Sequence, residues 1–264
     1  DWSTDAGMVG ATLGPDEAYR SSRGERVTSH SGLEFKLIRP LDFVVLSDHA
    51  ENLGIADFIR RSDPLILSNK VGKRWHDLNK AGKGYQAFIE WLRGLPEDQI
   101  KEPRMAEAIW PRVVANADKY YQPGVFTTFT AFEWTSQPGG NNLHRVVIFR
   151  DDASRTGQVL PFSQFDSPDP EDLWAYMAAY EEKTGGRVIS PAHNGNVSNG
   201  LMFDTKTLDG KPMTAAYAEM RMRFEPIYEV TQIKGDGEAH PLLSPNDEFA
   251  DFENMDKANL PGLA

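Results

Sequence analysis

The chain has 264 residues, enough for one or two domains with a sizeable core. Lys and Arg number 28 against 39 Asp and Glu, a net charge of −11, which argues against a chain built to grip nucleic acid or an anionic membrane. Cys is absent, so disulfides, thiolate metal sites and Cys nucleophiles are excluded, and with no stretch near ~18 consecutive apolar residues no membrane span is expected.

The opening "DWSTDAG" has no Met and no leading strand, and no signal peptide is legible. "LGPDEAYRSSRGE" predicts a short helix: Pro15 suits its first turn, Asp16 and Glu17 its positive end, and Gly24 its stop. "RVTSHSGLEFKLIRP" alternates and is polar, a hairpin or loop. Leu41 to Ser47 is a mainly apolar run that does not alternate, read as a strand buried on both faces as in a parallel sheet.

Residues 55–121 carry helical spacing and few strand signals, and are read as a helical insertion. Gly94 and Pro96 are expected to end "YQAFIEWLRG", and Pro111 to break or kink "MAEAIWPRVVANADKYY". "GVFTTFTAFEWTS" (124–136) and "LHRVVIFRD" (143–151) read as strands joined by the turn "QPGGNN", a hairpin. "SPDPEDLWAYMAAYEEKTGG" is the clearest helix, with Asp169 as N-cap, Pro170 at the first position and Gly185 at the stop. "GRVISPAHNGN" is strand then loop, and "PIYEVTQIKG" a further strand. The alternation predicts an α/β fold with a mainly parallel sheet, either doubly wound or a (β/α) barrel.

Three strands end on polar, titratable groups: Asp48-His49, Glu133 and His193. His144 follows Glu133 across the turn, and Asp5 lies in a polar loop near the start. Imidazole with carboxylate, in the absence of Cys, suits Zn, Mn or Fe, and a metal ion acidifies its water into a hydroxide nucleophile near neutral pH. Each residue also has a plainer reading: a cap for Asp48-His49, an ion-paired core acid for Glu133, a hairpin surface side chain for His144. The metal reading rests on several such groups meeting at strand ends. His30 and His76 read as surface residues without partners, His240 is ambiguous, and Glu229 is read either as lining a barrel mouth or as pairing with Lys234. Gly-x-Ser-x-Gly, P-loop and Gly-x-Gly-x-x-Gly patterns are absent.

Taken in order, "RPLDFVVLSDHAENLG", "FTAFEWTS…NNLHRVVIFRD", "SPAHNGN" and "YEVTQIKGDGEAHPLLSPNDEF" resemble the bacterial domain-of-unknown-function family DUF 3604. That family is similar to the PHP (polymerase and histidinol phosphatase) superfamily of metal-dependent phosphoesterases. The resemblance spans essentially the whole chain and implies one domain over 1–264, a distorted, TIM-like (β/α) barrel with seven strands in the full family. It implies two or three divalent ions at the C-terminal strand ends.

By the resemblance, Asp5 matches the acid after a first His-x-His, His49 a second-motif ligand, Glu133 a bridging carboxylate, and His144 and His193 later ligands. Asp48 stands beside His49 as a further ligand or as the acid that fixes the imidazole's orientation. The first His-x-His and a late Asp-x-His are not present, so the chain is expected to be truncated at both ends, with an incomplete barrel and metal site, and to be inactive or poorly folded alone. Arg145 and Lys234 are candidates for binding an anionic substrate, with a surface charge the favoured alternative. The implied activity is a metal-dependent hydrolase of a small phosphoester; hydrolysis of another ester or amide bond, and a non-catalytic metal-binding module, are the alternatives. A periplasmic or secreted location is compatible with the resemblance.

Overall fold

The computed structural model describes residues 2–94 and 100–255. Its contacts divide the chain into two compact units, one of residues 1–132 and 148–161, the other of 133–147 and 162–264.

In the first unit, α1 (Thr4–Met8) is followed by α2 (Pro15–Ser22), which begins on Pro15 and whose Glu17 carboxylate accepts the Gly14 N–H. Strands β1 (Val27–Thr28) and β2 (Glu34–Phe35) pair antiparallel. Strand β3 (Phe43–Leu46) then pairs parallel with β4 (Thr127–Trp134), Phe43 opposite Thr127 and Leu46 opposite Thr130. A parallel pair requires a crossover. Here it consists of α3 (Ile55–Arg61), α4 (Pro64–Leu67), α5 (Lys70–Lys80), α6 (Gly84–Gly94) and α7 (Pro103–Tyr120). The expected role of Pro96 in ending α6 lies outside the described residues.

Two expectations are corrected in this unit. Helix α7 is not broken at Pro111. An interior proline removes one helical bond, but Ile109, Trp110, Val113, Val114 and Ala117 on either side of it are buried, and their packing outweighs that local loss. Strand β3 is not buried on both faces: Phe43 is 62% exposed, while Val44 and Leu46 pack against Tyr19, Ala117, Tyr120 and Phe126. The helices α2 and α7 cover one face of β3, and period-two geometry sends Val44 and Leu46 to that face. Deeper in the unit, Trp110 meets Phe132 and Phe149 edge-on, with ring centroids 5.9 and 6.1 Å apart.

Strand β5 (Arg145–Phe149) follows a turn closed by the Leu143 N–H on the Ser136 carbonyl, 2.8 Å. Gly139 and Gly140, at φ 60° and 82°, make that turn. After the short α8 (Ala153–Thr156) the chain enters the rest of the second unit. Helix α9 (Pro170–Thr184) starts where Asp169 accepts the Glu171 N–H and stops at Gly185, φ 67°. With β6 (Val188–Ile189) and α10 (Ala215–Phe224) it encloses Leu173, Trp174, Met177, Tyr180, Val188 and Phe224.

The strand expected over 226–235 is reduced to β7 (Thr231–Gln232), paired antiparallel with β8 (Gly235–Asp236). Pro226 brings no N–H to a ladder, Tyr228 keeps a single parallel bridge to Ala192, and Gly235 at φ 122° turns the chain straight back. Among the described residues no helix is long and apolar enough to cross a membrane.

Candidate metal centre

The second unit gathers three of the expected residues. Glu133, next to last in β4, and His144, just before β5, are both buried. Glu133 Oε1 stands 2.7 Å from His144 Nδ1 and 3.8 Å from His193 Nε2. The two imidazole centroids are 6.3 Å apart. One carboxylate oxygen thus faces two imidazoles.

His193 is oriented from its other side. Its Nδ1 lies 2.7 Å from Glu229 Oε1, and Glu229 Oε2 accepts the Asn194 N–H at 2.8 Å. A carboxylate on one ring nitrogen places the proton there and leaves the other nitrogen an electron pair. The Asn194 side-chain amide stands 2.8 Å from that second nitrogen, Nε2.

Asn142 joins the two loops. Its carbonyl accepts the His144 N–H at 2.7 Å, and its amide donates to the carbonyls of His193 and Asn194 at 2.9 and 2.8 Å. The His193 N–H in turn donates to the His144 carbonyl, 3.0 Å. Asn142 and Asn194 are both fully buried.

The first unit holds the other three. His49 Nε2 is 3.4 Å from Asp5 Oδ2, and the ring sits 5.6 Å from Trp91. Burial opposes charge on Asp5, but the hydrogen bond and charge of His49, aided by the Ala6 N–H, hold the carboxyl below the usual carboxylate range. Asp48 is half-buried, and loss of solvent pushes its carboxyl up to about 6 against the pull of His49.

Several assignments change. Arg145 is neither a surface charge nor exposed to an anion: it is 1% exposed, its Nε 3.0 Å from Glu225 Oε1, and it donates to the Leu143 carbonyl. Glu225 also accepts from Trp174 Nε1 and Arg221 Nε, at 3.0 and 3.1 Å. Glu229 serves His193 rather than Lys234, which sits half-buried in the β7–β8 turn with its backbone N–H on Gln232. His76 is not without partners; it bonds Ser62 and Asp77 at 2.9 and 3.0 Å. His30 is exposed. Asn142 and Asn194 were missed because Asn in a Gly-rich stretch signals a turn first, and Gln232 because it was read only as part of a strand.

The donor chemistry, two imidazoles and a carboxylate flanked by a second acid, suits a borderline divalent ion. Among the described residues no group of three or more His, Asp or Glu side chains stands at the spacing that cages an ion. Donors around one ion bonded at ~2.0–2.2 Å sit roughly 3 Å apart, so Glu133 and His193 need only a small approach.

The chain matches the family described as "Protein of unknown function (DUF3604)" over residues 1–263, and it belongs to that family. No curated protein and no solved structure matches it.

Proposed function

We propose that this chain is a metal-dependent hydrolase acting on a phosphoester, related to the PHP phosphoesterases by the motifs around Asp48-His49, Glu133, His144 and His193. The observation that carries the reading is the shared Glu133 oxygen, facing His144 at 2.7 Å and His193 at 3.8 Å while Glu229 orients the latter from behind. Glu133, His144 and His193 would hold an ion in the second unit; Asp5 and His49, with Asp48 beside them, are a second donor set in the first. A divalent ion held by such donors polarises an ester and acidifies water near neutral pH. The protein's own part is to orient the imidazoles: Glu229 engages His193 Nδ1 and turns Nε2 toward Glu133, and burial of Glu133 and His144 keeps bulk water from competing. With Arg145 engaged by Glu225, charge on the substrate is left to the ions rather than to that guanidinium.

The test is metal content and turnover of p-nitrophenyl phosphate after loading with Mn²⁺, Zn²⁺ or Fe²⁺. Wild type turns over in a metal-dependent way, and His193→Ala and Glu133→Gln lose about 100-fold or more with an unchanged circular dichroism spectrum. Metal uptake with turnover of carboxyl esters or amides alone moves the substrate class. Stoichiometric metal without any turnover supports a binding module instead.

A further inference from the structure

A directional chain of hydrogen bonds ends on His193. The Lys234 N–H donates to Gln232 Oε1 at 3.0 Å. Gln232 Nε2 donates to Asn194 Oδ1. Asn194 Nδ2 meets His193 Nε2 at 2.8 Å, and His193 Nδ1 meets Glu229 Oε1 at 2.7 Å.

Both ends of this chain have a fixed sense. A backbone N–H can only donate, and a carboxylate can only accept. Gln232 must therefore turn its carbonyl to Lys234 and its amide to Asn194. Asn194 must then turn its own amide to His193. The imidazole is left with a proton on Nδ1 and an electron pair on Nε2, and every member between the two ends has one orientation.

The geometry points to Asn194 and Gln232 as positioning residues: together they hold His193 in its Nδ1–H tautomer and cover its Nε2 electron pair with an amide that a divalent ion must displace. The inference rests on the metal reading of the site. Displacement requires only the Asn194 side chain to swing. Its backbone is pinned by Glu229 and by Asn142, at 2.8 Å each, in the left-handed conformation at φ 56°. The amide is a latch that keeps His193 in ligand form while the ion is away.

Gln232→Glu reverses the chain at one atom. A carboxylate at 232 still accepts from Lys234 but cannot donate to Asn194. Asn194 then flips, and its carbonyl faces Nε2. Nε2 then faces the Asn194 carbonyl as well as Glu133 Oε1, 3.8 Å away, and no amide donor holds the His193 proton to Nδ1 alone. Asn194→Gly removes the latch, and glycine tolerates the positive φ.

The experiment combines long-range ¹H–¹⁵N spectra of the imidazoles in metal-free protein with calorimetric titration of Zn²⁺ and Mn²⁺. Wild type shows His193 protonated on Nδ1 alone. Gln232→Glu no longer shows His193 fixed as the Nδ1–H tautomer and binds the ion at least tenfold more weakly. Asn194→Gly binds it as tightly as wild type or tighter. An unchanged His193 tautomer and unchanged affinity in Gln232→Glu overturn the inference, as does weaker binding in Asn194→Gly. A wild type that binds no ion while showing the stated tautomer overturns the metal reading and leaves the chain of bonds standing.

Discussion

Glu133 and His144 are eleven positions apart in the chain, and Glu133 Oε1 lies 2.7 Å from His144 Nδ1. The turn between them makes this contact: two glycines at positive φ reverse the chain, and Leu143 bonds back to Ser136. Both side chains are buried, so the pair is shielded from water and from the salt screening that weakens exposed pairs.

Asn142 holds His144 in register with the His193 loop through three hydrogen bonds, all from a fully buried side chain. Asn142→Ala removes the partner of the His144 N–H and of the His193 carbonyl, at about 1–3 kcal/mol each for groups that find no substitute, while the Asn194 carbonyl keeps the Val197 N–H at 3.2 Å. The expected outcome is a loss of about 2–4 kcal/mol in urea unfolding, with weaker metal binding. Unchanged metal affinity in a folded variant would remove Asn142 from its role at the site.

Gly54 closes the stretch that carries Asp48-His49. Its φ is 82°, and a Cβ there would stand 2.4 Å from Ile109 Cγ1 on α7. Its N–H also bonds the Trp2 carbonyl at 2.8 Å. Gly54→Ala combines left-handed strain with overpacking and costs about 2–4 kcal/mol. Thermal unfolding reads this directly, and a melting temperature within a degree or so of wild type contradicts it.

The Tyr176 phenol is raised well above its ordinary 10.0, chiefly by burial and further by Tyr180 and Asp166. The folded chain keeps that proton at a pH where the unfolded chain has lost it. The folded state therefore binds more protons above pH ~10, and this group's contribution is present below that value and falls as pH rises beyond it. Tyr176→Phe retains the stacking on Phe162, 5.3 Å between centroids, and has no proton to lose. The gap in urea stability between variant and wild type should change in the variant's favour between pH ~8 and ~11; a constant gap contradicts the assignment.

Where signals act within a turn of chain, the sequence is informative. Asp169, Pro170 and Gly185 bound α9, and Pro15 and Gly24 bracket α2, because caps and left-handed stops depend on neighbouring backbone alone. Pro111 is the counter-example. Its local penalty was legible, but the burial of Trp110 and Val113 that outweighs it was not. Glu133 and His193 were singled out by residue type and placement at strand ends, and His144 by its position across the turn from Glu133, whereas the asparagines that position them look like any turn residues.

The sequence by itself determined the chemistry available: imidazole and carboxylate without thiolate, a negative net charge, helices with strong caps, and membership of one family over 1–263. The tertiary structure decided the partners. Glu229 turned to His193, 36 residues away, and Arg145 to Glu225, 80 residues away. The physical reason is range. Propensity and capping act over a few residues, but a buried charge or imidazole takes whichever partner the folded chain brings within about 3 Å, and sequence spacing does not encode that distance.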